Sequence, residues 1–271
     1  MDNNKSRAFL KWAGGKFGLV NDIRAKLPAG NRLVEPFVGA GSVFLNTHFE
    51  HYWLNDINPD LINLYQILQQ QADQYVRDAR QLFNENTNES GHYYEMRQQF
   101  NQSTDPYQRA LLFLYLNRHG YNGLCRYNLT GKFNVPFGRY RRPYFPEAEL
   151  YRFAEKAQRA TFTCLPFEQV FSQCRSGDVI YCDPPYAPIS RTANFTSYTT
   201  NGFSLADQEA LATWARLVAQ ERQIPVLISN HDTALTRRIY EGAKLTELKV
   251  GRFISQKGHS RTKVDELLAL F

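Results

Sequence analysis

The stretch that most restricts what this chain can fold into is DVIYCDPPY, residues 178–186. Val179, Ile180 and Tyr181 are β-branched or aromatic, the types that suit a pleated, half-buried surface, so the stretch opens as a strand. Pro184 and Pro185 have no N–H to give to a ladder, so the sheet ends there, with the carboxylate of Asp183 at the tip of a core strand. RLVEPF (32–37), HYWLND (51–56), ATFTCL (160–165) and PVLISN (225–230) also read as strands, and KLTELKV (244–250) with KVDELLALF (263–271) as a closing strand pair. Between them lie SVFLNTHF, the 59–83 segment, QRALLFLYLNRH (108–119) and LADQEALATWARLVAQ, whose apolar spacing suits helix. This alternation predicts an α/β fold with a mostly parallel sheet and helices on both faces. GYNGLCRYNLTGKFNVPFGRYRRPYFP interrupts it: rich in Gly, Asn and Pro and without a sustained period, it reads as loops and short hairpins. The core therefore carries a mixed insertion at about 60–150.

The chain has 271 residues, 43% of them hydrophobic, and a mean hydropathy of −0.50, which suits a globular protein with a sizeable core. No apolar run approaches the roughly 20 residues of a membrane span. The N-terminal MDNNKSRAFLKWAGGK lacks the apolar stretch of a secretory signal. Cys125, Cys164, Cys174 and Cys182 are scattered without a C-x-x-C pair, so we expect reduced thiols in a cytosolic protein, with neither a zinc site nor a disulfide framework. The net charge is +6, and its location matters more than its size. Pro106 to Pro146 holds seven Lys/Arg and no acid, which leaves 25 basic against 26 acidic residues elsewhere. Ten aromatics share that block. Cations that neutralise phosphates and rings that stack on bases are what a nucleic-acid surface needs. A solvated basic face packed on an aromatic core would have the same composition.

Ligands of open α/β sheets bind beyond the carboxyl ends of the strands. Three strand ends carry suggestive residues. EPFVGAGS places Gly39 and Gly41 where backbone can approach a ligand closely. Asp56, ending the next strand about 20 residues on, holds the position from which an acid reaches a ribose hydroxyl. The third is DPPY, which could serve an exocyclic amino group. Such a group carries two N–H donors; Asp183 can accept one and the Pro184 carbonyl the other, while Tyr186 offers a face to a planar base. An ordinary strand-ending acid followed by a proline turn is the plainer alternative. KWAGGK (11–16) ends in G-K but lacks the spacing of a phosphate-binding loop, and Phe17 replaces its hydroxyl, so a nucleotide triphosphatase is not expected.

Taken together, FLKWAGGK, EPFVGAGSVFLN, YLNRHGYNGLCRYN, FNVPFGRY, DPPYAP and VLISNHDT resemble the alpha group of DNA adenine-N6 methyltransferases, and within it the members that modify GATC. The similarity runs from about Arg7 to Phe271. It implies a Rossmann-like S-adenosylmethionine-dependent methyltransferase core (1–59 and 147–271) with an inserted, mainly helical and loop DNA-recognition domain (60–146). Trp12, Lys16, Phe37, Gly39, Gly41, Asp56 and Asp183 are implied as cofactor contacts, with S-adenosylhomocysteine as product and no metal. Asp183, Pro184 and Tyr186 are implied as the catalytic pocket. Lys11 would read the first guanine, Leu124 and Arg126 the third and fourth base pairs, and Pro136 a thymine methyl. Tyr121 would wedge into the stack, with Asn122 near the vacated space; Arg139 and Tyr140 complete the implied DNA contacts. The partner would be double-stranded DNA, with no membrane, and the protein a monomer in the bacterial cytoplasm, associated with the nucleoid.

The sequence leaves several rivals. One is an adenine methyltransferase partnered with a restriction enzyme and aimed at another site. A glutamine methyltransferase would carry Asn in place of Asp183 and has no need of the basic block. A DNA-binding regulator on an inactive fold would have no use for an amino-holding pocket. His231 in SNHD reads as a structural histidine at a strand end. Lys249 to Lys263, with five Lys/Arg and no acid, either flanks DNA or forms a solvated hairpin.

Overall fold

Parallel strands covered on both faces are apolar on both faces, and the central segments here follow that rule. The computed structural model describes residues 5–186, 203–249 and 265–271. Its strands are β1 (Arg32–Glu35), β2 (His51–Asn55), β3 (Ala160–Thr163), β4 (Asp178–Cys182), β5 (Val226–His231), β6 (Lys244–Leu248) and β7 (Glu266–Leu270), with short helices α1 (Val20–Lys26), α2 (Ser42–Asn46) and α9 (Ala234–Ile239) among the longer ones. They form one seven-stranded sheet in the order β3-β2-β1-β4-β5-β7-β6. β1 pairs in parallel with β2 and β4, and β4 with β5; β7 runs antiparallel to both β5 and β6. The expected mostly parallel α/β core and the closing strand pair are both present. GRFISQKGHSRT and nearly all of the Lys249–Lys263 basic run lie outside the described residues.

The chain divides into two compact units. One comprises Asp22–Phe37, Phe49–Asn55 and Leu165–Phe271. Val34, Ile180, Cys182, Val226, Ile228, Leu267 and Ala269 occupy alternate positions of its strands and share one core cluster. Helices α7 (Phe167–Gln173) and α8 (Leu205–Arg222) fill the cluster with Val170, Phe171, Leu211, Ala215 and Val218. The intervening Leu33, Val179, Tyr181, Leu227 and Leu268 are buried as well. The register is fixed at one end by charge. Arg32 faces Asp178 across β1 and β4 and donates to its two carboxylate oxygens from Nε (2.8 Å) and Nη2 (2.7 Å). Asp178 is 3% exposed, so a one-residue slip would strand a buried carboxylate. The strand order reverses between β1 and β4, which places the residues after Glu35 and Cys182 side by side at the switch point.

The other unit comprises Met1–Asn21, Val38–His48 and Asp56–Cys164. Helices α3 (Pro59–Gln81), α4 (Ser90–Gln102), α5 (Pro106–His119) and α6 (Glu147–Ala157) carry it, with α3 against α5 and α6 and α4 against α5. α3 and α5 begin alike: a side-chain cap followed by proline at the first helical position, where the missing N–H costs nothing. Asn58 accepts from Asp60 N and Leu61 N, and Asp105 from Tyr107 N. α5 is buried at nine of the ten positions from Ala110 to His119, which is why its apolar residues show no stripe. α3 kinks at Gln71, within a polar Gln69–Gln71 run. Among the described residues no helix is long and apolar enough to cross a membrane.

Candidate functional site

In the helical unit, backbone geometry explains the VGAGS loop. Gly39 (φ +48°) and Gly41 (φ +71°) sit in the left-handed region that glycine adopts without strain. At Gly39 the need is also steric. A Cβ would lie 2.9 Å from Nε1 of Trp12, whose ring covers the glycine. The Gly39 peptide is held on both sides: its N–H donates to Asp56 Oδ2 (3.0 Å) and its carbonyl accepts from the Tyr65 hydroxyl (2.5 Å). Asp56 Oδ1 accepts from Asn58 N (3.0 Å). Burial raises the Asp56 carboxyl above its ordinary value, opposed by backbone N–H groups of Asn58, Gly39 and Ile57. A carboxylate offers about four lone-pair sites, so room remains for ligand hydroxyls. Lys16, only 2% exposed, donates from Nζ to Gly14 O (2.9 Å). Trp12, Gly39 and Asp56 are thus brought together, and residues 14–18 form the turn that carries Lys16.

The same unit assembles the residues of YNGLCRYN and FNVPFGRY. A 3-10 turn at Tyr121–Gly123 follows α5, and Tyr121 N donates to Pro136 O (2.8 Å). Gly120 pairs with Phe137 and Tyr127 with Phe133, so residues 120–137 form a short folded-back segment, as the Gly- and Asn-rich composition suggested. Tyr121 presents its ring at 41% exposure; Asn122 is left-handed (φ 54°), a conformation asparagine tolerates. Pro136, Arg126 and Arg139 are exposed, and Leu124 and Tyr140 half-buried. Arg126 donates from Nε to Asn134 Oδ1 (2.7 Å). Lys11 comes from far away in sequence and is clamped here by Asn117. Lys11 N donates to Asn117 Oδ1 (2.9 Å), while Asn117 Nδ2 donates to Lys11 O (2.7 Å) and Gly123 O (3.2 Å). The Lys11 ammonium lies 3.6 Å from the Tyr140 ring centroid. Burial, and then the charge of Arg118, lowers its pKa. A cation kept partly dry is ready for an acceptor that water does not shield.

In the sheet unit, DPPY follows β4 as the two prolines require. Asp183 Oδ1 accepts from Ser229 Oγ at 3.4 Å, and Ser229 shares a 2.8 Å hydrogen bond with the Tyr181 hydroxyl. The Tyr186 hydroxyl donates to Glu266 Oε2 (3.1 Å), and its ring meets His231 edge to face, with centroids 4.5 Å apart. Burial, and then the Asp183 charge, pushes the Tyr186 phenol well above its ordinary pKa, so it stays a donor. Behind the turn, Gln208 Nε2 donates to Pro185 O (2.7 Å) and Gln208 Oε1 accepts from Asn230 Nδ2 (3.0 Å), which also donates to the Tyr240 hydroxyl (2.9 Å). The Pro185 carbonyl is therefore spoken for by a buried amide, which fixes the plane of the loop. Phe37, three residues past Val34 as Asp183 is past Ile180, meets Phe167 at a tilt and Phe203 edge to face, with centroids 5.6 and 5.4 Å apart.

Ser229, Glu266, Gln208 and Asn117 are the site residues that sequence reasoning missed. SNHD hinted at the first, since a polar pair ending an apolar strand needs partners; nothing local marks the other three. The four cysteines are free thiols, and among the described residues no group of three or more His, Cys, Asp or Glu is disposed to hold a metal.

Comparison with known proteins bears on these arrangements. The family model described as D12 class N6 adenine-specific DNA methyltransferase matches residues 12–254. A DNA adenine methylase of Serratia marcescens is 61% identical over 267 residues, covering 98% of this chain and 99% of that protein. The DNA adenine methylase of Escherichia coli (strain K12) is 62% identical over 267 residues, 98% of this chain and 96% of its own. One from Vibrio cholerae serotype O1 (strain ATCC 39315) is 61% identical with the same coverage of 98% and 96%.

Proposed function

The chain belongs to the D12 class of N6 adenine-specific DNA methyltransferases and is an adenine DNA methyltransferase; from that premise we propose that its methyl donor is S-adenosylmethionine, its target the adenine of GATC in duplex DNA, and its mode of access base flipping. The observation that carries the reading is the DPPY turn. Asp183 is a carboxylate at the end of β4, at the switch point of the sheet, with Gln208 fixing the peptide behind it.

The residues of the VGAGS loop suit the donor. Gly39 leaves no side chain between Trp12 and the loop, Asp56 has acceptor capacity for ribose hydroxyls, and the buried ammonium of Lys16 matches an amino-acid carboxylate. Trp12, Lys16, Phe37, Gly39, Gly41, Asp56 and Asp183 are the proposed contacts. When bound, S-adenosylmethionine supplies a methyl group made electrophilic by its sulfonium. The protein's task is then alignment and removal of water.

An adenine inside a duplex is out of reach, and everting it costs a few kcal/mol of stacking and pairing. Tyr121, exposed at the head of its turn, offsets that cost by filling the gap, beside Asn122. Asp183 accepts one N6 hydrogen and the Pro184 carbonyl the other, which draws the nitrogen lone pair out of ring conjugation. Tyr186 provides a ring held by Glu266 and His231. N6 sheds its proton during or after transfer, when it has become acidic, so Asp183 need not be a strong base beforehand. Residues 60–146 serve as the recognition domain. Within it and from Lys11, the contacts are Lys11 to the first guanine, Leu124 and Arg126 to the third and fourth pairs, and Pro136 to a thymine methyl, with Arg139 and Tyr140 alongside.

Tritium transfer from labelled S-adenosylmethionine to duplexes with and without GATC tests the reading. Label is expected only where GATC is present, and Asp183→Ala is expected to lose transfer while holding DNA affinity within about threefold. Equal labelling of all duplexes, no labelling, or full turnover by Asp183→Ala would overturn it.

A further inference from the structure

The segment proposed to read bases is tied to the start of α3 by groups on the side opposite the exposed Arg126. Residues 125 and 127 point inward while Arg126, between them, is exposed. Cys125 Sγ accepts from Asn58 Nδ2 at 3.4 Å, the residue whose Oδ1 caps α3. The Tyr127 hydroxyl donates to Asp60 Oδ2 at 2.6 Å. Asp60 is held in turn by Arg109, whose Nε and Nη2 both reach Oδ1 (2.9 and 2.7 Å), while Arg109 Nη1 donates to the carbonyls of Phe100 and Ser103. Arg126 O accepts from Asn134 N (3.0 Å), and its own Nε returns to the Asn134 side chain. Two inward anchors one residue either side of Arg126 fix the direction in which its guanidinium leaves the backbone, as alternation along an extended segment dictates.

We propose that Cys125 and Tyr127, through Asn58 and Asp60, are specificity-determining positioning residues: they touch no base, but set the register from which Leu124 and Arg126 read theirs. The inference rests on the reading of residues 121–137 as the base-reading segment. Both anchors are neutral and stay so at physiological pH. Burial pushes the Cys125 thiol up to about 12 and the Tyr127 phenol higher. A neutral thiol accepting from an amide is a short-range, directional link, and a buried tyrosine on an arginine-paired carboxylate is a strong one. A hydrogen-bond pair of this kind discriminates by orientation, because a bidentate base contact tolerates little displacement.

The distinguishing feature is position. Tyr127→Phe and Cys125→Ala are compared with the unaltered protein on GATC and on duplexes changed at one base pair. Discrimination at the third and fourth pairs is expected to fall about tenfold, with discrimination at the first pair, assigned to Lys11 and its Asn117 clamp, unchanged. Cys125→Ser, which keeps an acceptor for Asn58, is expected to recover most of the loss. Equal loss at every pair, retained discrimination, or loss of cooperative melting in Tyr127→Phe would overturn the inference. Failure of the unaltered protein to prefer GATC would instead refute the function proposed above, and separately.

Discussion

Asp56 shows how one residue trades stability for binding. The proposed contact to ligand hydroxyls calls for a carboxylate, yet burial favours the protonated form. The sign follows from linkage. A folded-state pKa raised above the unfolded value means the native state holds the proton more tightly. Its contribution to stability is full below the ordinary carboxylate value, about 4, and is lost as pH rises through the native value. Asp56→Asn does not titrate. Relative to the unaltered protein, its melting temperature should therefore improve as pH rises from about 3 to 7, while its Kd for S-adenosylmethionine weakens about tenfold or more at neutral pH. Calorimetry across that range and equilibrium binding check the two halves. A constant difference in melting temperature would show that the carboxyl is not strained by burial. Asp56 was legible because it ended a strand at the right distance from a glycine loop. That the backbone N–H groups of Gly39 and Asn58 donate to it was not, since a backbone N–H has no sequence signature.

At the scale of elements, the tight turn at Tyr121–Gly123 is decided by one missing side chain. Gly123 has φ +61°, and a Cβ there would lie 2.1 Å from the Cβ of Lys11 and 2.7 Å from its Cδ. Gly123→Ala therefore pays twice, for a left-handed backbone and for displacing Lys11, so a loss of about 2 kcal/mol or more is expected. Urea unfolding gives that number. The same variant should lose discrimination at the base pair assigned to Lys11, since Asn117 can no longer hold both partners in place. Most strands and the longer helices were legible from apolar spacing: the Val34, Ile180 and Ile228 segments all stop within one or two residues of the expected ends. α4, α6 and α7 were not: α4 buries only Tyr93, Met96 and Phe100 among polar residues, while the regular stripes of α6 (Leu150, Phe153, Ala154, Ala157) and α7 (Phe167, Val170, Phe171) run for only two or three turns, too short to stand out from the flanking loops. Nor did local pattern reveal that β7 inserts between β5 and β6, since pairing between distant strands depends on which edge remains open.

The whole molecule separates its charge. Seven cations and no acid between Pro106 and Pro146, against near neutrality elsewhere, put that stretch at positive potential. The logarithm of the DNA association constant should fall linearly with the logarithm of salt concentration. Arg141 and Arg142 are exposed, and the Tyr140 and Arg141 carbonyls accept from Asn88 Nδ2. Replacing both arginines by alanine is expected to lower the salt slope by about 2 while leaving the preference for GATC over altered duplexes intact. Fluorescence titration at several salt concentrations measures both. A changed preference would make these arginines readers of bases. The basic block was visible in composition alone. Composition left open whether it served DNA or merely solvated an aromatic core, and the fold divides it: Tyr115, Phe113 and Phe133 are buried, Arg118 is buried with them and Arg109 is paired with Asp60, while Tyr121, Arg126, Arg139, Arg141 and Arg142 face out.

The bond from Tyr186 to Glu266 has a bearing on synthesis. The two lie 80 residues apart, and at roughly 5–20 residues per second Tyr186 is added to the growing chain about 4–16 s before its acceptor exists. Through that interval the nascent chain can already carry DPPY and its glycine loop, yet β7 has not been made and the ring has no carboxylate to steady it. A message broken between those codons would yield chains that carry DPPY but lack β7, and in them the Tyr186 hydroxyl has no Glu266 to donate to.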